Sequence, residues 1–244
     1  MATSYSVTDI GRRRQMNQDY VYTSDDPVGE LPNLYIVADG MGGHKAGDFA
    51  SNYAVNHTVE EVKNSTEHGM HDIIDVALHR VNAGLHEIAT TRDEYRGCGT
   101  TIVLCSVDDG ILHVANVGDS RLYVIGSRIW QVSVDHSLVQ EMIRAGSLDR
   151  KRARTHPEKN VITRAIGAEE SLDIDFFTWD LHSGDLILLC TDGLTNMLED
   201  DEIRDIVSGT GSLKEKATKL IERANENGGL DNISALLIDP FARQ

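Results

Sequence analysis

The sequence predicts an α+β fold in which helices pack on antiparallel sheets, and three observations lead there. Ten short apolar runs rich in β-branched residues are separated by turn chemistry, and two blocks repeat apolar residues at helical spacing. Their order is strands, two helices, a run of strands, then helices and one closing strand, which suits segregated layers better than alternating βαβ units.

In chain order, strands are expected at 5–9, 20–23 and 33–38, followed by a helix over 47–63 with Ala50, Ala54 and Val55 on one side. The clearest helix spans 71–92, where Ile74, Leu78, Val81, Leu85 and Ile88 recur at three- and four-residue steps. Gly84 weakens it by about 1 kcal/mol against Ala, so packing must hold it. Strands at 100–107, 111–117, 121–125 and 129–134 form an antiparallel meander, with hairpin chemistry at Asp108-Asp109-Gly110 and Ile125-Gly126-Ser127. A short helix over 138–145 takes Ser137 or Asp135 as its cap. Strands at 173–179 and 185–191 precede helices over 200–208 and 213–227, the last ended by Gly228 and Gly229, and 232–238 is the closing strand. No low-complexity linker divides the chain, so residues 1–244 read as a single domain.

With 244 residues, 40% of them hydrophobic, the chain can bury a sizeable core. Its net charge of −16 disfavours nucleic acid and anionic membranes as partners. There is no 18-residue apolar stretch and no leader-like start, so a cytoplasmic location is expected. Cys98, Cys105 and Cys190 form no Cys-x-x-Cys pair and are expected to be small buried hydrophobes rather than disulfide partners or zinc ligands.

Two apolar runs end alike, at Asp39-Gly40 and at Asp192-Gly193, each carrying a carboxylate out of a strand. Asp-Gly is also ordinary turn chemistry, as at Asp109-Gly110. Asp39 differs because Gly40-Met41-Gly42-Gly43-His44 follows, a loop whose backbone is open to an ion or ligand. Magnesium and manganese take oxygen ligands and only one or two carboxylates each, so Asp39, Asp192 and Asp231 with the Gly40 carbonyl suit a two-cation centre bridged by Asp39. Such a centre lowers the pKa of a shared water and aims it at phosphorus. Arg14 supplies a guanidinium for the other phosphate oxygens, unless Arg12-Arg13-Arg14 is simply a solvated loop. Asp19 either orients a metal-bound water or pairs with a neighbouring arginine.

These residues lie within stretches that resemble the metal-dependent serine/threonine protein phosphatases of type 2C, in their bacterial form. The stretches are Gly11 to Asp19, Asp39 to His44, Gly99-Thr100-Thr101, Gly118-Asp119-Ser120-Arg121, Asp135-His136-Ser137, Asn160 to Gly167, Thr191-Asp192-Gly193-Leu194 and Asp231-Asn232-Ile233-Ser234. The resemblance implies a four-layer α-β-β-α sandwich, two antiparallel sheets flanked by helices. It implies hydrolysis of phosphoserine and phosphothreonine with Mn2+ or Mg2+, against a serine/threonine kinase. Carried over, Asp39 bridges two ions, Gly40 adds its carbonyl, Asp192 and Asp231 bind the first ion, and Asp19 serves the second through water. Arg14 holds the phosphate, and a third ion would use Asp119 with Asp192.

Some members carry His after Asp-Gly as the acid for the leaving alkoxide, where this chain has Met41. A metal-bound water is the favoured substitute, with His44 as the other candidate near the substrate. Asp135-His136-Ser137 is too compact for a hydrolytic triad and is expected to cap or pack. The basic run Arg150, Lys151, Arg152, Arg154, His156, Lys159 and Arg164 falls in a flap implied at about 145–165, and either steers phosphorylated segments or is solvated. Phosphoproteins are the expected partners of a monomer. A catalytically weak partner-binding relative and a two-metal phosphodiesterase are the rival readings.

Overall fold

The structure, a computed structural model, describes residues 2–43 and 45–242. In chain order the elements are β1 (Thr3–Asp9), β2 (Asp19–Ser24), β3 (Leu34–Met41), α1 (Ala46–Lys63), α2 (Met70–Thr91), β4 (Gly99–Thr100), β5 (Ile102–Asp108), β6 (Ile111–Val117), β7 (Arg121–Ile125) and β8 (Ile129–Gln131). They continue with α3 (Leu138–Arg144), α4 (Arg150–Ala153), β9 (Asp175–Asp180), β10 (Leu186–Cys190), α5 (Asp192–Thr195), α6 (Asp200–Val207), α7 (Leu213–Glu226) and β11 (Ile233–Asp239). One sheet runs β1-β11-β10-β7-β8 and the other β2-β3-β5-β6-β9, with β4 paired to β3 and every ladder antiparallel.

The central strands read as unbroken apolar runs because both of their faces are buried. Along β3, Tyr35 and Val37 face the opposite sheet and meet Leu189, Leu236 and Ile238, while Leu34, Ile36 and Ala38 face α1 and α2. Along β10 and β11, Leu188, Cys190, Ala235 and Leu237 face α6 and α7. Strand period two therefore sorts one run into two cores, and the four layers follow. The three cysteines are buried and free, as expected.

The differences from expectation are local. The strand expected at 100–107 breaks at Thr101, whose N–H donates to the Asp39 carbonyl and whose hydroxyl accepts the Asp39 N–H. The strand expected at 129–134 ends at Gln131, because the Ser133 hydroxyl takes the Leu122 N–H that a ladder carbonyl would otherwise accept. Ser137, not Asp135, caps α3, accepting the Gln140 N–H. Asp192 opens a short helix, α5, directly after β10, where no helix was expected.

The repeated Asp-Gly pair marks two places where backbones pass too close for any side chain. A β-carbon on Gly40 would lie 1.9 Å from the Gly47 carbonyl oxygen, and one on Gly193 would lie 1.9 Å from that of Asn232. Gly193→Ala must therefore push β10 and α5 off β11, and we expect a loss of about 2–3 kcal/mol in urea unfolding. Gly43→Ala, where the new methyl meets nothing within 4 Å, should stay within about 0.5 kcal/mol. Equal effects of the two substitutions would contradict this account.

Candidate metal centre

The register of β2 on β3 sets Asp19 directly opposite Asp39. Like charges facing each other across a ladder repel, so this pairing costs stability unless something positive intervenes. Asp192 arrives at the end of β10, Asp119 in the β6–β7 turn, and Asp231 just before β11. Asp39, Gly40, Asp119, Asp192 and Asp231 line one cavity of about 220 Å³ with Arg14. Asp19 is buried behind it, 6% exposed.

Each of two carboxylates is gripped through one oxygen only. Asp19 Oδ2 accepts the hydroxyls of Thr191 at 2.9 Å and Ser234 at 2.6 Å, while its Oδ1 is buried with no hydrogen-bond partner. Asp192 Oδ2 accepts the Asn196 amide at 2.9 Å, and its Oδ1 is likewise buried and unpartnered. Asp39 is fixed through its backbone, by the Thr101 hydroxyl at its N–H and the Thr100 hydroxyl and Thr101 N–H at its carbonyl.

The electrostatics follow from this crowding. Burial, opposed by the Ser234 and Thr191 hydroxyls and reinforced by Asp192 and Asp231, pushes the Asp19 carboxyl up to about 7. Burial and the Asp231 carboxylate raise Asp192 to about 6 against the pull of Lys159 and Arg121. Asp39 is raised by burial and then by Asp19, and Asp119 by burial and then by Asp192. Orphaned buried oxygens and mutually raised carboxyls are the pattern expected of ligands for a hard cation. Among the described residues, no three Asp, Glu, His or Cys side chains close round one point as a complete cage.

Arg14 lies at the rim, 48% exposed, with Nη2 donating to Asp231 Oδ2 at 2.7 Å. The loop that carries it is held by Asn232, a residue the sequence reading quoted without giving it a role. Its Oδ1 accepts the Gln18 N–H at 2.9 Å, and its Nδ2 donates to the carbonyls of Ile10 and Met16. His44 lies outside the described residues. Met41 lines the same cavity.

Asn160 and Ile162, from the segment expected to form a flap, complete the wall. Much of that segment's positive charge is already engaged. Arg154 donates to the carbonyls of Thr195 and Leu198 and pairs with Glu199, Lys159 donates to Asn196 Oδ1, and Arg164 pairs with Asp175. His136 is buried, accepts the Gly118 N–H and pairs with Asp175, which is a packing role beside the cavity.

Residues 10–237 match the family described as protein phosphatase 2C. The chain is 41% identical to protein phosphatase PhpP of Streptococcus pneumoniae over 95% of each protein. Among solved structures it superposes on the serine/threonine phosphatase Stp1 of Staphylococcus aureus with a TM-score of 0.92, 32% identity, and coverage of 99% of this chain and 96% of that one. It also superposes on the catalytic domain of the serine/threonine protein phosphatase PstP, solved with two manganese ions, with a TM-score of 0.84, 26% identity, and coverage of 98% and 97%.

Asp19 and Asp192 have folded-state pKa values above the ordinary 3.8, so the metal-free fold takes up protons. Their contribution to stability is then greatest below the unfolded value and falls as pH rises through about 6 to 7. In chelator, the melting temperature should decline across that window, and saturating manganese should reverse the decline. Asp192→Asn should raise the melting temperature of the chelated protein at neutral pH, by about 2–4 °C for each kcal/mol of repulsion removed, and shrink the gain from manganese. Calorimetry showing no response to manganese at any pH would exclude a metal centre.

Proposed function

We infer the activity from one premise: this chain belongs to the protein phosphatase 2C family. It is a serine/threonine protein phosphatase of that type, a hydrolase of phosphoserine and phosphothreonine esters. We propose further that it works with two divalent cations, Mn2+ or Mg2+, and room for a third. In this reading Asp39 is shared between the two, Gly40 adds its carbonyl, Asp192 and Asp231 hold the first, and Asp19 serves the second through water. Asp119 with Asp192 would take the third. The observation that carries the proposal is the gathering of Asp39, Asp119, Asp192 and Asp231 round one small cavity with Arg14 at its rim. The two manganese ions in the PstP structure support the ion count.

The cations would supply a nucleophile at neutral pH and neutralise charge as it develops on the phosphoryl group. The chain's own residues bind, orient and exclude. The Arg14 guanidinium is exposed and spends one nitrogen on Asp231, leaving donors to receive phosphate oxygens. The buried grip on Asp19 and Asp192 leaves one free oxygen of each at a fixed place, so little reorganisation is needed when an ion arrives. Met41 carries no proton to give a serine or threonine alkoxide, so that proton comes from solvent in the open cavity. A binding or acid role for His44 is the rival.

We take residues 145–165 as a flap within one catalytic domain, since Asn160 and Ile162 already form its inner wall. The physiological role is to reverse a serine/threonine kinase, as kinases make the esters this chemistry breaks. A monomer is favoured because copies carrying −16 repel one another.

Asp192→Ala should lower manganese-dependent turnover of a phosphoserine peptide at least about a hundredfold, the upper end of what loss of even an outer-shell partner costs. Arg14→Ala should act mainly on KM, raising it about tenfold. Full activity in Asp192→Ala would remove the site assignment. Cyclic dinucleotide and single-stranded DNA, assayed with manganese and then with chelator, should not be cleaved. His44→Ala should leave the pH-rate profile for an alkyl phosphate unchanged, and loss of its basic limb would restore His44 as the acid.

A further inference from the structure

A second cavity, of about 570 Å³, lies at the opposite end of the sandwich. β7 and β10 begin or end beside the carboxylates, at Arg121 and Cys190, and reach Ile125 and Leu186 at the far end. Their length puts roughly 15 Å between the two cavities. The far cavity opens between β8, the outermost strand of one sheet, and β9, the outermost strand of the other. The metal centre uses none of its residues.

Both tryptophans of the chain line this groove. Trp130 on β8 is 48% exposed, and its ring centroid is 6.2 Å from that of Trp179 on β9. Ile111, paired with Asp180 across the β6–β9 ladder, is a further exposed apolar side chain. Tryptophan is enriched among interface anchors, and an indole left half in water beside other apolar surface is suited to that role.

The charges say what kind of partner fits. The Asp180 carboxylate makes no side-chain hydrogen bond or ion pair with any described residue, its backbone alone being paired in the β6–β9 ladder. Asp185 accepts the His182 N–H and lies 3.7 Å from the His182 ring. Two carboxylates thus line the groove with one permanently charged cation, Arg128 on the exposed hairpin, in a chain of net charge −16. A tryptophan face beside a free carboxylate is the best arrangement side chains offer to a guanidinium or ammonium group.

We propose that this groove docks a basic segment of the phosphoprotein substrate, with an arginine or lysine side chain lying on Trp130 and its charge at Asp180. The identity of the partner rests on the phosphatase reading above; the groove itself does not. A substrate that reaches both cavities is held at high effective concentration at the metal centre, so docking lowers KM without altering the chemical step. In an extended segment the basic residue and the phosphoserine would be separated by at least about four residues.

Since both tryptophans sit here, fluorescence excited selectively in tryptophan reports on this groove. A short unphosphorylated peptide with two arginines should change it saturably, less so as salt rises, and the same peptide with glutamines should not. Trp130→Ala and, separately, Asp180→Asn should each weaken binding about fivefold. With a phosphoserine peptide carrying that basic segment about ten residues away, Trp130→Ala should raise KM several-fold and leave kcat unchanged. Turnover of a small aryl phosphate should not move. No saturable change, an equal response to the glutamine peptide, or a change that follows protein concentration and dimer formation would overturn the proposal. Aryl phosphate turnover with no peptide response would sink the docking alone. Peptide binding without any manganese-dependent phosphatase activity would instead sink the assignment of the segment to a substrate.

Discussion

Carboxylates crowded at the converging ends of buried strands are the interaction on which this molecule turns. Asp19 and Asp39 face each other across a ladder, and Asp119, Asp192 and Asp231 come in from neighbouring elements. Left alone, such a group repels itself, and burial denies it the water that would screen the repulsion. The fold tolerates the arrangement because two packed sheets and their helices bury enough apolar surface to hold the strand ends where they are. On the proposed assignment that tension would favour divalent cations, because a positive charge placed there would remove a cost the protein already bears.

The neighbours of the carboxylates are mostly neutral donors. Thr191 and Ser234 hold one oxygen of Asp19, Asn196 holds one oxygen of Asp192, and Thr100 and Thr101 fix the backbone of Asp39. A lysine or arginine in those places would have satisfied the charge and closed the site. Hydroxyls and amides orient the ligand while leaving its charge uncompensated, and one oxygen of each is left unclaimed. Arg14 reaches in at the exposed rim and pairs with Asp231, and in the proposed mechanism it would turn from there to a phosphate.

Much of this was legible in the order of residues. Apolar runs at 34–38 and 187–190 told of strands buried on both faces, and the Asp-Gly repeat pointed to the two strand ends that matter. The contrast with Asp109-Gly110 also holds, since that pair adopts the positive backbone angles of a hairpin turn, φ 45° and 79°. What stayed hidden depends on pairing between distant segments. Thr191 meets Asp19 across 172 positions and Ser234 meets it across 215, so no local pattern marks either hydroxyl as a clamp. Asn232 stood in plain view beside Asp231, yet its three bonds to the Arg14 loop exist only once β11 has paired with β1. The basic run at 150–164 gave the sign of its charges but not their partners, and Arg154, Lys159 and Arg164 turn out to be engaged within the chain. The two tryptophans belong to different sheets, and their meeting could not be read from spacing at all.

The strand order has a consequence for how such a protein comes into being. β11 follows every other strand in sequence, yet it occupies the interior of its sheet, between β1 and β10. During synthesis the earlier strands must wait with a gap between them, and the ladder seals only when the last one slides in. Asp231, Asn232 and the anchoring of the arginine loop all arrive with that strand. On the proposed assignment a nascent chain would lack Asp231 and a seated arginine loop at every intermediate length, and the site would be completed only together with the sheet. Pairing strands so far apart in sequence is intrinsically slow, so insertion of β11 between β1 and β10 would set when the last carboxylate joins the others.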